Sequence, residues 1–489
     1  VDAVSRPTGP ADDAREYTMS RTGRPHPRDR APLLDDLRSA ARAGRPVLFT
    51  GATIVTMDPV VGTLDRGDLL VRGATVEAVG VDLAATAGAA GAVVVHAGGT
   101  ILAPGFVDTH RHAWEAQLRR IMPDVDDLGA YVTSTLAGYA PAYRPEDMYV
   151  GTRLAALTAL DCGITCMLDF SHNSRSAAHS DAAVAGLADT GIRGVHAAMG
   201  PHFGDWDRQW PGDLARLRET TAGNPLLTLR VAALATDEIA GPDLAYGRRL
   251  AGVAAELGVG VSVDAVFGAA SSAAILDWAR DGLLGPDVTL IHCTGLTGDA
   301  WRAMADAGAT VSLAPTSEAQ IGLETAVPAV DEALAVGIRP GLGIDVEVAL
   351  ASDMVTQMRA LHAIQRMRAV EAAYGTTRVP SRLSTFDVLD FATRQGARTN
   401  GLGDVTGSLT PGRQADLIMV RAEDLNTMPL NDPIGTLVLG SDARNVEAVL
   451  VAGQVRKWDG RVLDVDLDDL RARVRESRDH VFGQATAAA

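Results

Sequence analysis

After Pro104 the chain alternates eight short apolar runs, most of them closed by a polar residue, with helical stretches. The runs are Phe106-Val107-Asp108, Thr165 to Asp169, Gly194-Val195-His196, Leu229 to Ala232, Val259 to Asp264, Val288 to His292, Thr310 to Leu313 and Pro340 to Asp345. Strands separated by helices at this spacing pair in parallel, because a parallel neighbour needs a crossover. Eight such units predict an α/β fold, a closed (β/α)₈ barrel with helices outside. A doubly wound open sheet is the alternative. No Gly-x-Gly-x-x-Gly follows a first strand, so dinucleotide binding has no support.

A parallel barrel places its chemistry at the C-terminal ends of its strands. The polar residues there are His110 and His112, Asp169 with His172, Asp264, His292 and Asp345. Side chains alternate along a strand, so His110 and His112 share one side and Arg111 points away. Two imidazoles so placed suit a metal ion; a His-x-His taken alone is more often a pair of surface or packing histidines. Convergence of so many ionisable groups from distant segments favours an enzyme over a binding or regulatory protein.

Composition narrows the partners. A net charge of −17 argues against nucleic acid and anionic membrane, leaving a small-molecule substrate. No apolar run is long enough to span a bilayer and no signal-peptide core is seen, so a cytoplasmic protein is expected. Three cysteines, Cys162, Cys166 and Cys293, make no disulfide framework, and Cys162 and Cys166 read as small buried hydrophobes rather than ligands. Lys457 is the only lysine. No lysine in the body of the chain can therefore form a Schiff base or carry a carbamate bridging two metals.

The flanks differ in texture. Residues 1–45 are rich in Arg, Pro, Asp and Ala and read as a flexible or docking arm, with a helix allowed from Pro32 to Ala43. Short strands over 46–103 and 405–465, cut by Gly and Asp turns, are expected to join as one small β-sandwich domain beside a barrel spanning 104–404. Helices are expected near 353–374 and 386–398, and a charged amphipathic helix and tail over 466–489.

The segments Pro104-Gly105-Phe106-Val107-Asp108-Thr109-His110-Arg111-His112, Ile291-His292-Cys293, Leu342-Gly343-Ile344-Asp345 and Gly407 to Leu417 resemble the amidohydrolase superfamily, nearest its cytosine deaminase and triazine hydrolase branch. The resemblance runs from about Val47 to Asp464. It implies His110, His112 and Asp345 as ligands of one divalent metal, a strand-five residue as a further ligand, and His292 as the polarising group. It also implies a homo-oligomer, dimer or larger. Such a metal lowers the pKa of water to about 7. Asp345 could relay its proton to the leaving nitrogen, and protonated His292 could hold the oxygen of the tetrahedral intermediate.

This chain departs from that pattern in two places. Asp264 stands where the strand-five histidine belongs. Aspartate is shorter, harder and negative, so iron or manganese competes with zinc, or the metal is absent. Phe267 stands where deaminases of this branch carry a proton-shuttling glutamate, and an apolar residue there suggests a hydrophobic substrate. Further substrate-binding candidates are His172, His202 with Trp206 and Trp210, Trp114 as a pocket wall, and Glu318 as an acid or acceptor. His179 reads as structural; His26, His96, His362 and His480 read as surface or packing residues. Two functions remain: hydrolysis or deamination of a C–N bond in a cyclic molecule, or metal-free acid–base chemistry through Asp264, His292 and Asp345.

Overall fold

The computed structural model describes residues 16–18, 30–323 and 325–488. Its centre is a closed barrel of eight parallel strands. In chain order these are β1 (Phe106–Arg111), β2 (Ile164–Ser171), β3 (Arg193–Ala198), β4 (Leu227–Leu234), β5 (Gly260–Asp264), β6 (Val288–Ile291), β7 (Thr310–Leu313) and β8 (Gly341–Leu342). Each expected run falls on one of them, and β8 closes on β1 through Leu342 and Asp108. The strands are buried on both faces and read as apolar runs, as parallel strands under helices must.

Strand β4 contains no lysine. Its arginine, Arg230, instead donates to Ser262 Oγ and Thr289 Oγ1 within the barrel wall (both 3.0 Å).

The flanks meet in one ten-stranded sheet. Thr100–Pro104, which runs directly into β1, pairs antiparallel with Leu417–Arg421 from the far end of the chain. The sheet is mixed, since Pro46–Val55 runs parallel to both Val93–His96 and Thr100–Pro104. Val47, Phe49, Leu69, Leu417, Met419 and Leu450 share one core, which binds both flanks together. The helix Arg30–Ala43 buries Leu33, Leu37 and Ala40 in that same core. The rest of the expected arm lies almost wholly outside the described residues.

Asp416 is the clamp between sheet and barrel. Its carboxylate takes both Nε and Nη2 of Arg193 at the entry to β3 (2.7 and 3.0 Å), and the backbone N–H of Ala452 in the sheet (2.7 Å). Gly105 is required where the two units join, because a Cβ there would lie 2.1 Å from the Thr165 side chain.

Beyond the barrel, helices cover Met354–Ala373 and Leu467–Ala488. The last of these packs over the segment Leu128–Ala142 at the barrel mouth, with Val481 buried and Phe482 against Tyr139. Among the described residues, no helix is long and apolar enough to cross a membrane.

Candidate active site

The C-terminal mouth of the barrel gathers His110, His112, Asp264, His292 and Asp345 beneath an apolar cavity. Backbone pairing sets their level. Ile344 N and Asp345 N both donate to His110 O (2.9 and 2.8 Å), which brings the exit of β8 against the end of β1. Gly343 permits this approach; a Cβ there would sit 2.8 Å from His110 Cβ and O. Asp345 and His292 adopt left-handed backbone angles (φ 67° and 63°). Non-glycine residues held so cost of order 1–3 kcal/mol and cluster at functional sites.

Beneath the mouth lies a buried ionic network. Asp108 Oδ2 accepts from Arg111 Nε (2.7 Å), while its Oδ1 accepts from Ile344 N (3.1 Å) and His110 N (3.3 Å). Arg111 Nη1 donates to Glu347 Oε1 (2.8 Å), and Glu347 also pairs with Arg119. Arg111 does point away from the imidazoles, as strand alternation requires, but into protein rather than solvent. Burial lifts the Asp108 carboxyl to about 6 even beside this guanidinium.

The imidazoles carry a constraint of their own. His112 Nδ1 lies 3.1 Å from Phe170 O, and a carbonyl only accepts, so Nδ1 carries the hydrogen. The Nε2 lone pair then faces Asp345 Oδ1 at 3.2 Å. His110 Nε2 lies 3.2 Å from the same oxygen, and His110 Nδ1 has no hydrogen-bond partner among the described residues. Lone pairs converging on one carboxylate oxygen repel unless a proton or a cation lies among them. The proton solution is visible at His112: burial opposes its charge, but Asp345 and Glu115 outweigh burial and push it up to about 9. A divalent cation is the other solution, and this donor set fits one. Among the described residues, a trio of donor atoms all within 4.8 Å of one another belongs to His110, His292 and Asp345.

Asp264 Oδ1 is buried, lacks a hydrogen-bond partner and lies 3.9 Å from His292 Nε2. His292 Nε2 also lies 3.7 Å from Asp345 Oδ2. Behind it, Glu318 Oε1 faces Nδ1 at 3.2 Å and accepts from Ala314 N at 2.9 Å. Glu318 therefore orients His292 and is itself fully buried, away from substrate. Burial disfavours a charged His292, but Glu318, Asp345 and Asp264 together push it up to about 9. Ser317 Oγ donates to Asp345 Oδ2.

The cavity above has a volume of about 600 Å³ including its open mouth. His172, His202 and Phe267 line it, as expected, with Leu136, Ile321 and Leu323. Trp114 does not. It is fully buried behind His172, to whose Nδ1 its indole N–H donates (3.0 Å). Trp206 packs against the core outside the lining, and Trp210 donates to Ala198 O (2.9 Å). His179 bridges Ser176 Oγ and Tyr143 O (2.7 and 3.0 Å), a structural role.

Sequence reasoning missed Glu115 and Tyr131. Glu115 is fully buried, accepts from Tyr131 Oη at 2.6 Å, and burial lifts its carboxyl to about 8. A glutamate three residues past the second histidine was the available signal.

A closed parallel barrel with paired imidazoles leaving β1 and an aspartate leaving β8 defines a class of metal-type barrel sites. The amidohydrolase family model matches residues 251–456, so that part of the chain is an amidohydrolase family domain. It is 29% identical to the 5-methylthioadenosine/S-adenosylhomocysteine deaminase of Nitratidesulfovibrio vulgaris, over 88% of this chain and 97% of that one. To the enzyme of the same description from Moorella thermoacetica it is 28% identical, over 88% and 98%. Among solved structures it resembles a zinc-bound adenosine deaminase from Xanthomonas campestris (TM-score 0.76, 22% identity, 89% and 98% covered). It also resembles the zinc complex of atrazine chlorohydrolase from Arthrobacter aurescens (TM-score 0.72, 20% identity, 88% and 100%). These two likenesses establish the shared fold.

Proposed function

We propose that this protein is a mononuclear metal-dependent hydrolase that cleaves a C–N bond, by deamination or a related displacement, in a cyclic small molecule. The observation that carries the reading is the convergence of His110 Nε2 and His112 Nε2 on Asp345 Oδ1, each at 3.2 Å. His110, His112 and Asp345 would hold the ion, with Asp264 as a fourth donor. The names of the sequence relatives support C–N hydrolysis as the reaction.

When bound, a divalent ion supplies a water whose pKa is lowered to about 7. Asp345 Oδ2, oriented by Ser317 Oγ, accepts the proton lost on attack and returns it to the leaving nitrogen. His292, held through Nδ1 by Glu318, presents Nε2–H to the oxygen of the tetrahedral intermediate. Phe267 leaves no glutamate beside the ring, so Asp345 carries the proton transfer without that second acid. Metal-free acid–base chemistry would need Asp264, His292 and Asp345 alone. It leaves the His110 imidazole, aimed at Asp345 Oδ1, without a role.

The test is ammonia release from a panel of aminated heterocycles by zinc-reconstituted protein. Turnover that needs the metal and is lost in His110→Ala is expected. Turnover that survives chelation and His110→Ala would overturn the proposal.

A further inference from the structure

The cavity wall holds one hydrogen-bond donor whose direction is fixed by a neighbour rather than by pH. Trp114 Nε1 lies 3.0 Å from His172 Nδ1. An indole nitrogen only donates, so Nδ1 is an acceptor and the imidazole carries its hydrogen on Nε2. A second proton cannot enter at Nδ1 while that bond lasts. The ring cannot rotate: it stacks on His112 (4.0 Å between centroids, 15° between planes) and meets His202 edge-on at 4.9 Å. Trp114 is fully buried and packed against Tyr143, so it is a rigid support. Nε2 of His172 has no partner among the described residues, and His172 lines the cavity.

Away from the floor, the remaining polar side chains of the wall are Tyr131, His202 and Thr236. Leu128, Val132, Leu136, Ile321, Leu323 and Phe267 are apolar. The Tyr131 hydroxyl, also at the wall, is engaged by Glu115. No arginine or lysine is among the described residues lining the cavity, while Asp264 and Asp345 supply two carboxylates at its floor.

We infer that His172 is the specificity-determining residue of this mouth: locked by Trp114 as an Nε2–H donor, it selects rings that present an uncharged acceptor to it. The inference rests on the proposed reading that a cyclic molecule enters here. It adds that the substrate's remaining substituents are uncharged and hydrophobic. The imidazoles of His112 and His292 are already paired with Asp345 and Glu318, so a carboxylate would find no unpaired cation among the described lining residues, and a set of sugar hydroxyls would find only Thr236 and His202 as further polar groups in the wall. S-Adenosylhomocysteine and ribonucleosides are thereby poor ligands for this chain, although its relatives carry deaminase names of that kind.

The test uses the zinc-loaded full-length protein and isothermal calorimetry, so that binding is read independently of turnover. The probes are 9-benzyladenine, its ring-deaza analogues, its para-carboxybenzyl counterpart and adenosine. Wild type should bind 9-benzyladenine at least about tenfold more tightly than the carboxylate, adenosine and one deaza analogue, the tenfold being a lost hydrogen bond with its donor left buried. His172→Phe keeps the aromatic stack and removes the donor, and it should abolish the discrimination against that deaza analogue. A structural role alone would weaken all ligands together and leave the ratio unchanged. Independently of any variant, ¹⁵N shifts of the His172 ring in wild type should show Nε2 protonated and Nδ1 bare across the neutral range. The inference is overturned if no deaza analogue is disfavoured, if the ratio survives in His172→Phe, or if Nδ1 carries the hydrogen. Equal or tighter binding of the carboxylate or adenosine, or no binding of 9-benzyladenine, also overturns it. Failure of turnover with the discrimination intact would sink the proposed hydrolysis and leave this inference standing.

Discussion

Asp108→Asn removes one charge from the network under the site without changing shape. Three donors converge on the Asp108 carboxylate: Arg111 Nε on Oδ2, and the backbone N–H groups of Ile344 and His110 on Oδ1. All three residues are fully buried. An asparagine has one accepting oxygen and one donating nitrogen in place of two acceptors. If the oxygen keeps the two backbone donors, the amide nitrogen faces Arg111 Nε, donor against donor. If the amide flips, two backbone donors lose their partner instead. Either way a buried charge-assisted bond is broken with one partner left in place, which costs about 3–5 kcal/mol. Unfolding entropy of about 2.1 cal/mol/K per residue gives about 1 kcal/mol/K for a chain of this length, so the Tm should fall by about 3–5 °C. Differential scanning calorimetry of Asp108→Asn, Arg111→Met and the double variant measures both the loss and the coupling. The double variant should recover much of the single losses, because it removes donor and acceptor together. A Tm within about 1 °C of wild type in Asp108→Asn, with coupling under about 0.5 kcal/mol, would refute the reasoning.

Asp345→Asn should abolish turnover and lower metal affinity, read by activity and competitive chelation; retained turnover removes Asp345 from the mechanism. Asp264→His restores imidazole where this chain has a carboxylate, and should raise zinc affinity at least about tenfold; unchanged affinity would mean that residue 264 does not face the ion. Glu318→Gln should lower kcat about 10–100-fold while leaving the fold intact, because it loosens the orientation of His292 rather than contacting substrate. Asp147 contributes acid-side stability: burial raises its carboxyl, but Arg144 and Ser477 outweigh this and hold it below the usual range. That contribution is complete above about pH 3.8, the ordinary aspartate value, and is lost as pH falls through the lower folded value. Asp147→Asn should therefore flatten the low-pH limb of Tm against pH.

The barrel was legible because its strands are short apolar runs, most of them closed by a polar residue and alternating with helical stretches, a local pattern that survives without knowledge of neighbours. His110, His112, His292 and Asp345 were legible for the same reason: they end those runs. The roles of Trp114 and Glu318 were not. Each is one side chain removed from the cavity, and only the packing tells that Trp114 supports His172 and Glu318 supports His292. Glu115 and Tyr131 lie sixteen residues apart on irregular segments whose pairing no periodicity announces. Asp416 stood in a recognisable motif, but its partner Arg193 lies 223 residues away, so the clamp between sheet and barrel required coordinates.

The most direct measurement is the metal content of the purified chain by elemental mass spectrometry, before and after titration with zinc, for wild type and for His110→Ala. The account predicts uptake of one divalent ion per chain by wild type, abolished or greatly weakened in His110→Ala. A wild-type protein that takes up no divalent ion, or that binds it equally well without His110, would contradict it.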